Sequence, residues 1–372
     1  MRVIGIGFLA LVGVLSISLF AAAARADVQS SQGPLQVETM AQGLDDPWAI
    51  AFLPGGGFLV TEIDGTLNHF GLSGKRTRIK GVPEVRASGQ GGLLDVVVAR
   101  DFNRSREIFL SYAKPQGRFS GTAVTVARLS EDNTRLKGQR EIFEMATGFR
   151  GGRHFGSRIV EARDGSLFVT IGDRGDRPTA QNLSVHNGKV VRLNRKGGAA
   201  KGNPFAGQAD IQPEIYSLGH RNPQGATLDL RGRLWVVEHG AKGGDEINRV
   251  RPGRNYGWPV ISYGRHYSGG KIGEGTAKAG MEQPNHYWDP SIAPSGMMIY
   301  SGKMFPKWAG DIFVGSLKFD HIARLDVAGD TVRLAENLQS AETGRVRDVR
   351  EAPDGSIWFL SVNDGAVYRL SR

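Results

Sequence analysis

The chain has 372 residues, 40% of them hydrophobic and 23% charged, which excludes a disordered chain and leaves ample apolar mass for a core. With no cysteine, it has neither disulfides nor a thiol nucleophile, and a lipid-attached cysteine is excluded. The net charge is +10, but no basic tail or aromatic-interleaved basic run is present, so no nucleic acid partner is expected; a multiply anionic small ligand is a better use for part of the charge.

In chain order, the first element is a targeting segment over residues 1–26. Arg2 supplies a short positive region, an apolar run extends from Val3 to about Ala24, and Ala24-Arg25-Ala26 offers a small-x-small cleavage site. The mature chain then starts near Asp27, and loss of Arg2 and Arg25 leaves a charge of +8. A retained membrane anchor is the alternative. The cleaved form is exported, to the periplasm or beyond, with no membrane span.

Next comes a repeated unit, a short apolar strand preceded by a Gly-containing or polar turn. It reads PGGGFLVTEIDG from Pro54, REIFLSYA from Arg106 and DGSLFVTIGD from Asp164. It returns as RGRLWVVEHG from Arg231, AGDIFVGSLKFD from Ala309 and DGSIWFLSVNDG from Asp354. Alternating or continuous apolar residues after a turn are a β-strand signal, and no helical pattern lies between the copies. Six copies at spacings of roughly 45 to 80 residues match six four-stranded blades, each needing about 40 to 50 residues. The predicted fold is therefore an all-β, six-bladed propeller of antiparallel blades over residues 27–372, in which radial closure protects the sheet edges. Two Gly-, Pro- and Asn-rich insertions, from Gly197 to Pro213 and from Tyr263 to Pro294, are expected to cover a site on one face.

Polar clusters at the strand ends are the candidates for chemistry. His154 in GGRHFGSR and Asp173 in IGDRGD sit where a hairpin would pair imidazole with carboxylate, either as an oriented general base or as a structural hydrogen bond. SLGHRNPQG carries His220, Arg221 and Asn222, a fork for a carboxylate beside a donor–acceptor amide. In VVEHGAKGGDEINRVRPGRNYGWP, the side chains of Glu238, Asp245 and Glu246 and a glycine-rich turn offer the hard oxygens that suit calcium, without EF-hand spacing. Lys318 ends the strand GSLK, and alternation places Arg345 and Arg347 on one face of the strand GRVRDV. Two inward guanidiniums call for an anion between them; a surface strand partly neutralised by Asp348 is the plainer reading. Zinc spacing, the nucleophile elbow, the P-loop and the Rossmann glycines are all missing, so phosphoryl transfer and nicotinamide chemistry find no support.

Taken in order, GLDDPWAIAFLP, GQGGLLDVVV, RHFGSR, IGD, LGHRNPQG, EHGAKGGDEIN, NYGWP, APSG, SLK and RVRDV resemble the soluble quinoprotein glucose and aldose sugar dehydrogenases, from about Gly43 to the C-terminus. That family has a six-bladed propeller, pyrroloquinoline quinone (PQQ) and Ca2+. The resemblance implies that His154 is the catalytic base, Asp173 its orienting partner and Gln90 a residue near substrate and cofactor. It implies that Arg221, Asn222, Lys318, Arg345 and Arg347 hold the tricarboxylate quinone. The carbonyls of Gly240 and Ala241 match ligands of the active-site calcium, Ala standing where Pro is common. Glu246 and Tyr256 match positions of a second, structural calcium, and either Trp288 or Asp289 faces the cofactor plane. The implied activity is oxidation of aldoses at C1 to lactones, by a monomer or homodimer that passes electrons to an unidentified acceptor. The motifs GRHFGSR and HGAKGG favour the broad aldose branch. A calcium-dependent lactonase-like hydrolase and a non-catalytic binding propeller are the alternatives; neither needs His154 together with four cations around one anion.

Overall fold

The computed structural model describes residues 27–372, so the targeting segment read over residues 1–26 lies outside the described residues. Six antiparallel sheets follow one another, the first five of four strands each. The first blade runs Pro47–Phe52, Phe58–Glu62, Thr66–Phe70 and Arg76–Arg78. The second runs Leu93–Val98, Glu107–Gln116, Phe119–Leu129 and Leu136–Glu144, and the third Ile159–Glu161, Leu167–Ile171, Lys189–Leu193 and Ile215–Leu218. Blade four comprises Pro223–Leu228, Leu234–Glu238, Asp245–Arg249 and His286–Trp288. Blade five comprises Pro294–Ile299, Ile312–Ser316, Ile322–Ala328 and Thr331–Leu338. Each of the six repeats read from the sequence is the second strand of its blade.

The sixth blade closes the ring. It starts with Val346–Glu351, Ile357–Ser361 and Ala366–Ser371, and takes its fourth strand, Leu35–Ala41, from the start of the described chain. Asp27–Val28 adds a short fifth strand outside it. Joining the two ends of the chain in one sheet leaves no blade to peel away alone.

Sheets stacked on both faces need apolar side chains on both, which is why the second strands read as almost unbroken hydrophobic runs. In Leu167–Ile171, Leu167 and Val169 pack against Phe109 and Val124 of the blade before. Phe168 turns the other way, toward Leu234 and Val236 of the blade after. The core is thus a ring of six inter-blade layers, the last joining Trp358 and Leu360 to Ile50 and Val60.

The first strands of successive blades are neighbours around the axis. Five of these six contain a register shift near their starts: between Pro47 and Ala49, Leu93 and Val96, Pro223 and Gly225, Pro294 and Met297, and Val346 and Asp348. Such bulges bend a strand and re-aim a side chain. They all lie at the same end of the channel, because every first strand runs the same way. One expectation fails here. The 197–213 insertion joins Lys189–Leu193 to Ile215–Leu218 at the opposite end, where Arg140 reaches the Lys196 carbonyl and Arg195 pairs with Asp101. Antiparallel order fixes that: the third strand of a blade runs away from the end where the first begins. The other insertion does lie over the bulged end, through the pairing of Lys242 with Arg265.

Candidate active site

Two adjoining cavities open at the bulged end. One, of about 260 Å³, is lined by Trp48, Gln90, Asn222, Gln224, Arg345 and Arg347. The other, of about 520 Å³, is lined by Ala241, Lys242, Arg265, Tyr267, Asp289 and Lys318. His239 and Ala293 line both, so these are two lobes of one site. Trp48, Gln224 and Arg347 each sit within a bulge, which is how strands with alternating faces turn these side chains into the pocket.

His154 precedes the first strand of blade three and Asp173 follows the second, so the hairpin does bring them together. His154 Nδ1 lies 2.6 Å from Asp173 Oδ1. The carboxylate also accepts the Gly175 N–H at 2.7 Å, and its Oδ2 accepts the Trp258 indole N–H at 2.8 Å. Burial opposes the charge of Asp173, but the hydrogen bonds from His154 and the Gly175 N–H, with the Arg221 charge, hold the carboxyl below its ordinary range. Burial pushes His154 down from its ordinary 6.5; Asp173 resists, and the Arg221 charge adds to the fall. Nε2 is therefore a free base at neutral pH, with Nδ1 oriented by a charged partner. Gln90 supports the same histidine from the other side, its Oε1 accepting the His154 backbone N–H at 2.7 Å.

The cations are distributed over both lobes. Arg221 donates to the His239 carbonyl at 3.2 Å, and its Nε is buried without a partner. Arg347 reaches only Gln224 Oε1, at 3.4 Å, and its Nε is likewise buried and unpartnered. Loss of hydration, with Arg345 and Arg158 nearby, pushes Arg347 down to about 10. Arg345 is not on the strand with Arg347 as alternation predicted; it precedes it at φ 49°, exposed, and donates to the Leu317 carbonyl at 3.1 Å. Its new position still faces the pocket. Lys318 lies two residues beyond its strand, in the other lobe. Among the described residues none of these four cations forms an ion pair with a carboxylate. Asn222 accepts the Gly156 N–H at 3.3 Å through Oδ1, which also takes Gln224 Nε2 at 3.2 Å.

Two acidic residues of the 238–246 segment hold the backbone around them. Glu238 accepts His220 Nδ1 at 2.8 Å and the Arg221 N–H at 2.7 Å. Asp245 accepts the Gly240 N–H at 2.8 Å and Ser291 Oγ at 2.7 Å, pinning the loop that carries Gly240 and Ala241. A side-chain carbon at Gly240 would meet the Gly243 and Gly244 carbonyl oxygens at 2.2 and 2.3 Å, so hard oxygens crowd this turn and only glycine fits. No group of three or more His, Asp or Glu able to hold a metal occurs among the described residues, so a cation here would rest on backbone carbonyls. Glu246 stands opposite Glu238 in the sheet; burial and that neighbour push it up to about 8. The Tyr256 hydroxyl donates to the Arg249 carbonyl at 2.8 Å and accepts the Arg251 N–H at 2.9 Å, so it ties the turn after Asp245–Arg249. Of the pair left open, Asp289 lines the site and Trp288 packs in the layer between blades four and five.

Sequence reading did not assign roles to His239, Gln224 or Trp258. Burial and the charges of Arg221 and Arg347 push His239 down to about 3, so it stays neutral in the pocket. All three lay inside recognised motifs, EHGAKGG, LGHRNPQG and NYGWP; a large side chain between proline and glycine is the signal that was available for Gln224 and Trp258.

The end of the six-bladed propeller channel thus carries a carboxylate-oriented histidine beside a cation-lined cavity. The family model described as Glucose / Sorbosone dehydrogenase matches residues 44–369, and the chain belongs to that family. It is 42% identical over 345 residues to aldose sugar dehydrogenase YliI of Escherichia coli K12, covering 91% of this chain and 93% of that one. Among solved structures, the apo-form of the soluble aldose sugar dehydrogenase from Escherichia coli superposes with a TM-score of 0.88 at 41% identity, covering 91% and 99% of the two chains. The PQQ-bound form of aldose sugar dehydrogenase from Streptomyces coelicolor gives 0.76 at 27% identity, covering 91% and 98%. No helix among the described residues is long and apolar enough to cross a membrane.

Proposed function

We propose that this chain oxidises aldose sugars at C1 to lactones with PQQ and calcium, after export to the periplasm under its leader. The single observation that carries this reading is the set of cations without carboxylate partners, Lys318, Arg345 and Arg347 lining the two lobes and Arg221 held against His239 between them, beside the oriented His154, whose backbone is bonded to Gln90 of the same lining. Two buried guanidinium Nε atoms without acceptors are costly unless an anion supplies them. A tricarboxylate quinone fits that set, and the carbonyls of Gly240 and Ala241 would hold its calcium. When bound, the quinone supplies the two-electron acceptor and calcium the Lewis acid.

The protein's own part is orientation, proton transfer and charge. His154 Nε2 takes the anomeric hydroxyl proton as hydride leaves C1, and Asp173 stabilises the resulting imidazolium through Nδ1. Gln90 keeps the histidine backbone in place. Lys318 and the arginines offset the negative charge that develops in the pocket. The names of the relatives support the sugar and the quinone. A second, structural calcium would draw on the Tyr256 position and on Glu246, whose carboxyl stands opposite Glu238 in the sheet.

The test is reconstitution of purified apo-protein with PQQ, with calcium or a chelator, following dye reduction across a panel of aldoses. Reduction that needs both additions is the expected result. Absence of quinone binding and of dye reduction would reject the reading.

A further inference from the structure

Asp173 presents two oxygens, and they are held by different parts of the fold. Oδ1 takes His154 and Gly175, whereas Oδ2 takes only the indole N–H of Trp258, 85 residues further along the chain. Without that N–H, Oδ2 has no hydrogen-bond donor among the described residues, and the carboxylate is held through Oδ1 alone.

Trp258 itself is firmly placed. It is buried; its backbone N–H donates to the Gly219 carbonyl at 3.0 Å, and its carbonyl accepts Gln181 Nε2 at 2.7 Å. Its ring packs in an apolar cluster with Ala180, Ala241 and Ile272. The guanidiniums of Arg177 and Arg221 lie 5.5 and 5.4 Å from the ring centre, within reach of cation–π attraction. One rigid plane therefore touches the proposed base pair by its edge, the cofactor-side arginine by its face and the proposed calcium loop through Ala241. A core indole ordinarily needs only some acceptor for its N–H. Here the acceptor is the one carboxylate that orients a histidine in the site.

We propose that Trp258 is a positioning residue for the dehydrogenase reaction, holding Asp173, and through it the His154 ring, in register with Arg221. This deepens the reading of His154 as base and rests on it. An Oδ2 without its donor lets the imidazole swing, so proton transfer suffers while cofactor and sugar binding do not.

The experiment uses the full chain with Trp258→Phe, and with Trp258 replaced site-specifically by β-(3-benzothienyl)alanine, which keeps the ring shape and lacks the N–H. In apo-protein, the downfield proton resonance of His154 Nδ1–H should move upfield or broaden in both. In reconstituted enzyme, kcat should fall about tenfold, the loss of one hydrogen bond to a charged group. KM and the quinone Kd should stay within about twofold, and in an Asp173→Asn background the effect of Trp258→Phe should shrink to about twofold or less. An unmoved resonance, or the same tenfold loss without the Asp173 carboxylate, overturns the proposal. If Trp258→Phe does not fold, the isosteric replacement decides. If the wild type reduces no dye, the dehydrogenase reading fails, and the apo-protein resonance still judges the contact between Trp258 and Asp173.

Discussion

Two groups of cations around the channel are treated in opposite ways, although Arg347 of one lies three residues from Arg350 of the other. Inside the channel, Arg158 pairs with Asp95 at 2.9 Å and Asp348 at 3.3 Å, and Arg350 pairs with Asp348 at 2.9 Å and Asp95 at 3.1 Å. Asp348 also accepts the Ile50 N–H and Asp95 the Ile159 N–H, so carboxylates and guanidiniums form a closed network across blades, a charged plug in the channel. At the mouth, among the described residues, the side chains of Arg221, Lys318, Arg345 and Arg347 form no ion pair with a carboxylate. Arg347 and Asp348 are adjacent in sequence, yet the bulge between Val346 and Asp348 sends one to the pocket and the other to the plug. Charge that is paired internally is architecture, and charge left unpaired beside a cavity points to a ligand.

The largest effect that would test this contrast belongs to the plug. Arg158→Ala leaves Asp95 and Asp348 short of their buried partner and should destabilise the protein by about 3–5 kcal/mol, read from urea denaturation of the apo-protein. Stability close to wild type would show that the network is not architectural. His154→Gln tests the base at the mouth: kcat should fall by about 10²- to 10⁴-fold while the quinone Kd, measured by calorimetry, holds. A matching loss of quinone affinity would place His154 in binding instead.

Arg347→Ala should do the reverse of Arg158→Ala. The quinone Kd should weaken by about 10- to 100-fold, and apo-protein Tm should stay level or rise, because a desolvated charge beside Arg345 is removed. A clear fall in apo-protein Tm would make Arg347 part of the architecture and erase the contrast. The smallest effect concerns pH. Burial and Arg221 hold His154 below 6.5, so the acid limb of kcat/KM should lie below 6.5. Asp173 stabilises the protonated ring, so Asp173→Asn should carry that limb further toward acid as it lowers the maximum rate. A limb displaced upward in Asp173→Asn would refute the assigned role of the carboxylate.

Much of the fold was legible in the primary structure. Each second strand lies between two neighbouring blades, so its residues are apolar on both faces and stand out as runs such as FLVTE, LFVTI and IWFLS. His154 and Asp173 were legible as a pair because a hairpin is local, and its register follows from two strands and a turn. Arg347 was legible only as half of a pair with Arg345 on a regular strand, which the bulge disproves.

What the amino-acid order determined by itself was therefore the repeated strand, the number of blades and the polar motifs at the strand ends. Each of these depends on side-chain period and turn chemistry within a few residues. Only the tertiary structure decided that Leu35–Ala41 completes the sixth blade, that Asp348 serves Arg158 while Arg347 serves the pocket, and that Trp258 meets Asp173. Those contacts join residues far apart in the chain, and they depend on ring closure and on bulges, three of which begin at a proline but whose re-aimed side chains no local period reveals. The 197–213 insertion makes the same point: its composition is that of a covering loop, but strand direction, set by pairing, sends it to the far end of the channel.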